Sequence, residues 1–143
     1  MIIMLEKRLA LMVFYDDKNR VLLQDRSNMS KWGEEYGYFG GSIDGNESPS
    51  DTVIREIQEE LEFKIHKPKY LGKYESIGKP LKDPSIEIKV IQEVFFIKIT
   101  EKDYQKMVLH EGVDKKWFSI SDAKKLNMYP LNSKILDDLK KNI

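Results

Sequence analysis

Seven consecutive apolar residues, Leu9-Ala10-Leu11-Met12-Val13-Phe14-Tyr15, constrain this chain more than any other feature. The run is far shorter than the ~20 residues a membrane-spanning helix needs. Its side chains suit a strand, and a strand sends successive side chains to opposite faces. An unbroken apolar strand therefore needs cover on both faces, which places it in the middle of a sheet with a layer on either side. Asp16-Asp17-Lys18-Asn19 then reads as a turn, and Val21-Leu22-Leu23 as the returning strand of a hairpin.

Beyond the hairpin, residues Ser27 to Gly37 read as a polar loop containing Trp32, closed by Tyr38-Phe39-Gly40-Gly41. Ser48 is an N-cap candidate with Pro49 at the first helical position, so a helix is expected from there to about Glu62. Tyr70 to Ile77 and Ile86 to Thr100 are the next strand candidates. The second changes parity along its length, which predicts a bulge or bend near Ile91 to Glu93. Trp117-Phe118 reads as a short strand, Ser121 to Leu126 as a short helix, and Asn132 to Lys141 as a capped C-terminal helix. At 143 residues, with no repeat or linker, the expectation is one domain over 1–143, an α/β sandwich around a mixed sheet.

The charge balance is even, 24 Lys and Arg against 24 Asp and Glu, which removes the basic excess that a nucleic-acid scaffold uses. With no cysteine there is no disulfide, no thiolate zinc site and no cysteine nucleophile, so a metal would be a hard ion on oxygen or on His66 and His110. No segment is long enough to span a membrane as a helix, and the reading is a soluble cytoplasmic protein.

Along the chain the balance breaks down. Glu47 to Glu62 holds six acids and one base, a net −5 that the rest of the chain offsets with +5. On a helix, Glu56, Glu59 and Glu60 share one face within about a 100° arc, while Val53, Ile54, Ile57 and Leu61 form a separate apolar stripe. A solvated helix face usually interleaves opposite charges four residues apart, whereas Glu56 and Glu60 are a like pair at that spacing. Carboxylate oxygens gathered on one rigid element suit Mg²⁺ or Mn²⁺, and the adjacent glycines offer free backbone to a phosphate. The pattern points to metal-assisted phosphoryl chemistry.

Gly41, five residues, Glu47, seven residues, and then Arg55-Glu56-Ile57-Gln58-Glu59-Glu60-Leu61-Glu62-Phe63 resembles the Nudix box of the MutT-like hydrolases, G-x5-E-x7-R-E-U-x-E-E-x-G-U with U apolar. Eight of nine specified positions agree; Glu62 stands where the box has glycine. The resemblance implies a Nudix-type α/β/α sandwich and attack of water on a diphosphate linkage. It implies metal ligation by Glu56, Glu59 and Glu60 with a carbonyl of Gly40 or Gly41, and pairing of Arg55 with Glu47 to hold loop against helix. Catalytic roles are thus expected for Glu56, Arg55 and Glu47. In similar proteins the base or a further ligand comes from a later loop, and His110-Glu111-Gly112 is similar to that segment. Glu111 is the candidate for a catalytic or metal role, with Asp114 as the fallback and Glu56 as the competing base.

For the substrate, Trp32, Tyr36 and Tyr38 offer rings for a base to stack on, or serve as core and loop anchors. Lys31 and Lys115-Lys116 could meet phosphates or stay solvated. Absence of cysteine separates the chain from the isopentenyl diphosphate isomerases and from the zinc-ribbon NADH pyrophosphatases. The expected substrate is a nucleoside triphosphate or another nucleoside diphosphate derivative, bound without a nucleic-acid or membrane partner. An ADP-ribose, nucleotide-sugar or coenzyme A type pyrophosphatase and a non-catalytic nucleotide-binding module are the alternatives. Dimers are common among similar proteins, and a homodimer is a further expectation.

Overall fold

The computed structural model describes residues 3–30, 33–80, 82–83 and 85–143. Its elements in chain order are β1 (Ile3–Tyr15), β2 (Arg20–Asp25), β3 (Tyr36–Gly37), β4 (Phe39–Ser42), α1 (Pro49–Leu61), β5 (Lys69–Gly78), β6 (Ile86–Lys98), α2 (Glu101–Lys106), β7 (Lys115–Ser119), α3 (Ile120–Ala123) and α4 (Asn132–Asn142). Among the described residues seven strands join one mixed sheet, and β1 lies at its centre. On one edge β1 runs parallel to β6, from Ile3 opposite Ile86 to Tyr15 opposite Lys98. Its other edge is divided. β2 meets it where Tyr15 faces Val21, and antiparallel β4 takes over from Met12 to Leu9. β5 lies outside β6, while β3 and β7 pair with β2.

The apolar run behaves as the alternation demands. Met12 and Phe14 pack with Val53, Ile57 and Leu61 of α1, whereas Val13 packs with Ile135, Leu136 and Leu139 of α4. These side chains are almost completely buried, each worth roughly 1.5–3 kcal/mol on transfer from water. The result is three layers, helix on sheet on helix.

Helix α1 starts as its sequence requires: the Asp51 N–H donates to the Ser48 hydroxyl at 3.1 Å, and Pro49 opens the first turn. It stops at Glu62, which adopts the left-handed conformation (φ 49°, ψ 40°) while its N–H donates to the Gln58 carbonyl at 3.0 Å.

Three expectations need correction. There is no bulge in β6 near Ile91 to Glu93: its pairing with β1 is continuous, and the register shift lies in β5 between Tyr70 and Gly72. The parity change is real but has another cause, since residues 90–96 are all buried and both faces of the strand are covered. The C-terminal helix carries no side-chain cap; Leu131 precedes it at φ 71°, and Asn132 is spent inside the core, accepting from the Tyr38 hydroxyl and donating to the Ala123 carbonyl. The polar loop is shorter than expected, because Tyr36 and Gly37 pair with Asp25 and Gln24. Helix α2 had no counterpart in the sequence reading, although Thr100 and Asp103 form a reciprocal capping box at its start. Among the described residues no helix is long and apolar enough to cross a membrane.

Candidate active site

Strand β4 and helix α1 bring the glycines and the carboxylates together. The Gly40 N–H donates to Glu60 Oε1 at 3.0 Å. Gly41 leaves the space that Glu56 fills: a Cβ there would stand 2.4 Å from the Glu56 carboxyl carbon. Both contacts exist because β4 is held against β1 with Gly41 opposite Ala10 and Gly40 opposite Leu11.

The acidic face is graded in burial. The Glu59 side chain is 58% exposed and that of Glu56 18%, while Glu60 is only 2% exposed. Burial, with the charges of Glu111 and Glu56 adding to it, pushes the Glu60 carboxyl up to about 8 against the opposing Gly40 N–H. Burial also raises Glu56, with Arg55 opposing it and Glu59 and Glu111 reinforcing it.

Arg55 is the hub of this network. Its Nε and one terminal nitrogen grip Glu47 at 2.9 and 3.0 Å, and its other terminal nitrogen reaches Glu56 at 3.0 Å and Glu59 at 3.3 Å. The bidentate bond with Arg55, helped by the Thr52 hydroxyl, holds Glu47 down to about 2. The same bond is the main reason the guanidinium is raised further above its ordinary value. Asp44, which the sequence reading did not single out, joins Arg55 at 3.3 Å.

Glu111 reaches the cluster through backbone docking. The Val108 N–H donates to the Leu61 carbonyl at 2.9 Å and the His110 N–H to the Glu60 carbonyl at 2.8 Å, so the 107–114 loop is stitched to the C-terminal end of α1. At its far end Val113 donates to the Asp25 carbonyl, and Gly112, with φ 75°, approaches that same carbonyl too closely for a Cβ. Glu111 and Glu56 then border one cavity of about 420 Å³. His110 instead contacts Glu62 at 2.8 Å, His66 is exposed, and Asp114 takes part through its carbonyl, which accepts from the Asp25 N–H.

The cavity extends from Gly40 and Gly41 over the α4 side of the sheet. Tyr38 borders it, but its ring is buried and its hydroxyl is committed to Asn132, so it does not stand free as a stacking platform. Tyr36 also borders the cavity and packs edge-on against Phe118. Lys115 lies over the Tyr104 ring. Lys31 and Trp32 lie outside the described residues. Arg26, ion-paired to buried Glu34 at 3.3 Å, and Gln92 are wall residues that sequence reasoning missed. For Gln92 a signal existed: it is polar inside a strand that is otherwise mostly apolar from Val90 to Ile97.

Among the described residues no three acidic or histidine side chains converge as a ready-made metal cluster, and Arg55 engages two of the carboxylates. The donor set nevertheless fits a hard cation. Glu60 Oε2 is buried with no hydrogen-bond donor, and the charges of Glu56 and Glu111 bear on the Glu60 carboxyl.

A sequence profile described as NUDIX domain matches residues 6–139. The chain belongs to the Nudix family. Solved Nudix folds superpose over nearly the whole chain. The Escherichia coli dihydroneopterin triphosphate pyrophosphohydrolase gives a TM-score of 0.76 at 17% identity, covering 97% of this chain and 99% of that one. A MutT protein from Methanosarcina mazei Go1 gives 0.74 at 19% identity, with 96% and 95% covered. The Nudix domain of Shewanella oneidensis NrtR, in complex with ADP ribose, gives 0.65 at 18% identity, with 99% and 88% covered. At these identities the likeness is one of fold. No curated protein sequence matches the chain.

Proposed function

We propose that this Nudix protein hydrolyses a diphosphate linkage in a nucleoside triphosphate or related nucleoside diphosphate derivative, releasing a nucleoside monophosphate and the remaining phosphate fragment. The observation that carries this reading is the orphaned, buried oxygen of Glu60 beside Glu56 and Glu111, next to a cavity large enough for a nucleoside. The ADP ribose held by the Shewanella domain supports a small nucleotide-type ligand.

Glu56, Glu59 and Glu60, the Gly41 carbonyl and Glu111 are the groups that would hold Mg²⁺ or Mn²⁺. Such an ion, when bound, neutralises phosphate charge and lowers the pKa of the attacking water. The chain's own contributions are these. Arg55 and Glu47 clamp the 42–47 loop to α1 and keep the carboxylates aimed at the glycine turn. Glu56 or Glu111, both at the cavity edge, takes the proton from the attacking water. The apolar wall beyond the glycines receives the nucleoside and excludes water from it.

The test is a phosphate-coupled assay of nucleoside triphosphates, nucleotide sugars and dinucleotides with Mg²⁺, run beside the double variant Glu59→Gln, Glu60→Gln. Turnover that falls at least a hundredfold in the variant supports the reading; no turnover on any compound, or an unchanged rate in the variant, sinks it. The member of the panel turned over best also decides between a nucleoside triphosphate and the ADP-ribose, sugar or coenzyme A alternatives. Comparing Glu56→Gln with Glu111→Gln identifies the base as the substitution that leaves Mg²⁺ binding intact and removes the alkaline rise in rate.

A further inference from the structure

Gln92 sits in the middle of β6, 2% exposed, with its side-chain nitrogen buried and without an acceptor. It nevertheless borders the cavity, on the strand face it shares with Val90 and Val94, in a wall to which β1 contributes Lys7, Leu9 and Leu11 and α4 contributes Asn132 and Ile135. A buried amide without a hydrogen-bond partner bears its desolvation cost with nothing in return, unless a ligand completes it. Strand register places it relative to the reaction centre. Ser42 of β4 faces Leu9 of β1, and Leu9 faces Gln92, so Gln92 lies two strand spacings, about 10 Å, from the chain next to Gly41. A sugar and a flat ring can bridge that distance.

Resting on the pyrophosphohydrolase reading of the same cavity, we infer that Gln92 is a specificity-determining residue whose side-chain amide hydrogen-bonds the edge of the substrate's heterocycle. A site built to hydrogen-bond a ligand rejects analogues that leave its buried polar group unpaired, which is how one buried amide selects among heterocycles. Gln92 is a binding group at the end of the cavity away from the carboxylates, so its removal weakens ligand binding and leaves the chemistry at Glu56 and Glu60 intact.

The experiment compares the wild type with Gln92→Leu and Gln92→Met. Turnover is measured on ATP, GTP, CTP, UTP and tripolyphosphate with Mg²⁺, and binding of the four nucleoside monophosphates is measured by calorimetry in EDTA, where no hydrolysis occurs. The expected result is a rise of at least tenfold in KM for the preferred nucleotide and a matching loss of affinity for its monophosphate. Tripolyphosphate, which has no heterocycle, should change less than twofold. Both variants should melt at or above the wild-type temperature, because a donor without a partner has been removed; a purely structural glutamine would lower it. If the wild type turns over nucleotides and both variants keep KM and affinity within twofold, or lose equally on tripolyphosphate, the assignment of Gln92 is wrong and the hydrolase reading stands. If nothing is hydrolysed but a monophosphate binds in a Gln92-dependent way, the hydrolase reading falls and this one survives. Neither turnover nor binding overturns both.

Discussion

The space above Gly41 is occupied by the carboxyl group of Glu56, which a Cβ on Gly41 would approach to 2.4 Å. Gly41 is therefore a glycine for the sake of a neighbour's side chain, and its own φ does not require one. In Gly41→Ala the methyl group meets the far end of a flexible side chain, so Glu56 rotates away while the backbone stays. The expected outcome is a drop of about ten- to a hundredfold in turnover, the range typical of displacing a group around a metal site, with a melting temperature close to wild type.

Gly40, one residue earlier, fails differently. A Cβ there would stand 2.1 Å from the Ala10 carbonyl oxygen, and φ is 141°. Neither the central strand nor the backbone angle can yield cheaply. Gly40→Ala should destabilise the protein by roughly 3 kcal/mol or more, read as a lower urea midpoint, and should release the N–H that holds Glu60.

Arg55→Lys keeps the positive charge but not the fork that binds Glu47 through two nitrogens. A single ammonium cannot hold Glu47, Glu56 and Glu59 together. Activity should fall about ten- to a hundredfold, and the Glu47 carboxyl, now near 2, should titrate closer to the ordinary glutamate range when followed by carbon-detected NMR.

Glu62 carries a left-handed backbone that glycine adopts without strain. Its side chain contributes only a half-exposed contact with His110, and such contacts are worth little. Glu62→Gly should raise stability by up to about 1 kcal/mol and preserve activity; a loss of turnover would show that the exit of α1 matters to catalysis.

Asp16 closes the β1–β2 turn, accepting from the backbone N–H groups of Lys18 and Arg20 and from the Arg20 guanidinium. Burial alone would raise its pKa, but these hydrogen bonds outweigh burial and hold it below the ordinary value of 3.8. A depressed carboxylate pKa adds stability that is present above about pH 4 and is lost as the pH falls through the folded value. Asp16→Asn should thus cost about 1–3 kcal/mol at pH 7, and urea titrations should show the deficit shrinking below pH 4.

Several elements were legible because their determinants are local or periodic. The seven-residue apolar run of β1 announced cover on both faces, and Met12, Val13 and Phe14 confirm it by alternating between the two cores. Ser48, Pro49 and the stripe of Val53, Ile57 and Leu61 announced α1. Strand β6 shows the limit. Its parity change implies a bulge or bend only if one face is buried, and its place between β1 and β5, with helices above and below, makes both parities internal.

The site divides along the same line. Spacing from Gly41 to Phe63, together with like charges at Glu56, Glu59 and Glu60, was enough to identify the family and its acidic helix face, because one turn and one helix carry all of it. Which carboxylate is buried was not in the spacing. Glu60 differs from Glu59 through the packing of α1 on the sheet and the Gly40 N–H that β4 presents to it. Glu111 joins the cluster only because backbone hydrogen bonds dock the 107–114 loop onto the end of α1, and Gln92 faces the cavity only through strand register. A sequence determines periodicity, caps and turn chemistry through near neighbours. Burial, and the pKa shifts and orphaned donors that follow from it, depend on groups brought together from distant parts of the chain, and these the tertiary structure decided.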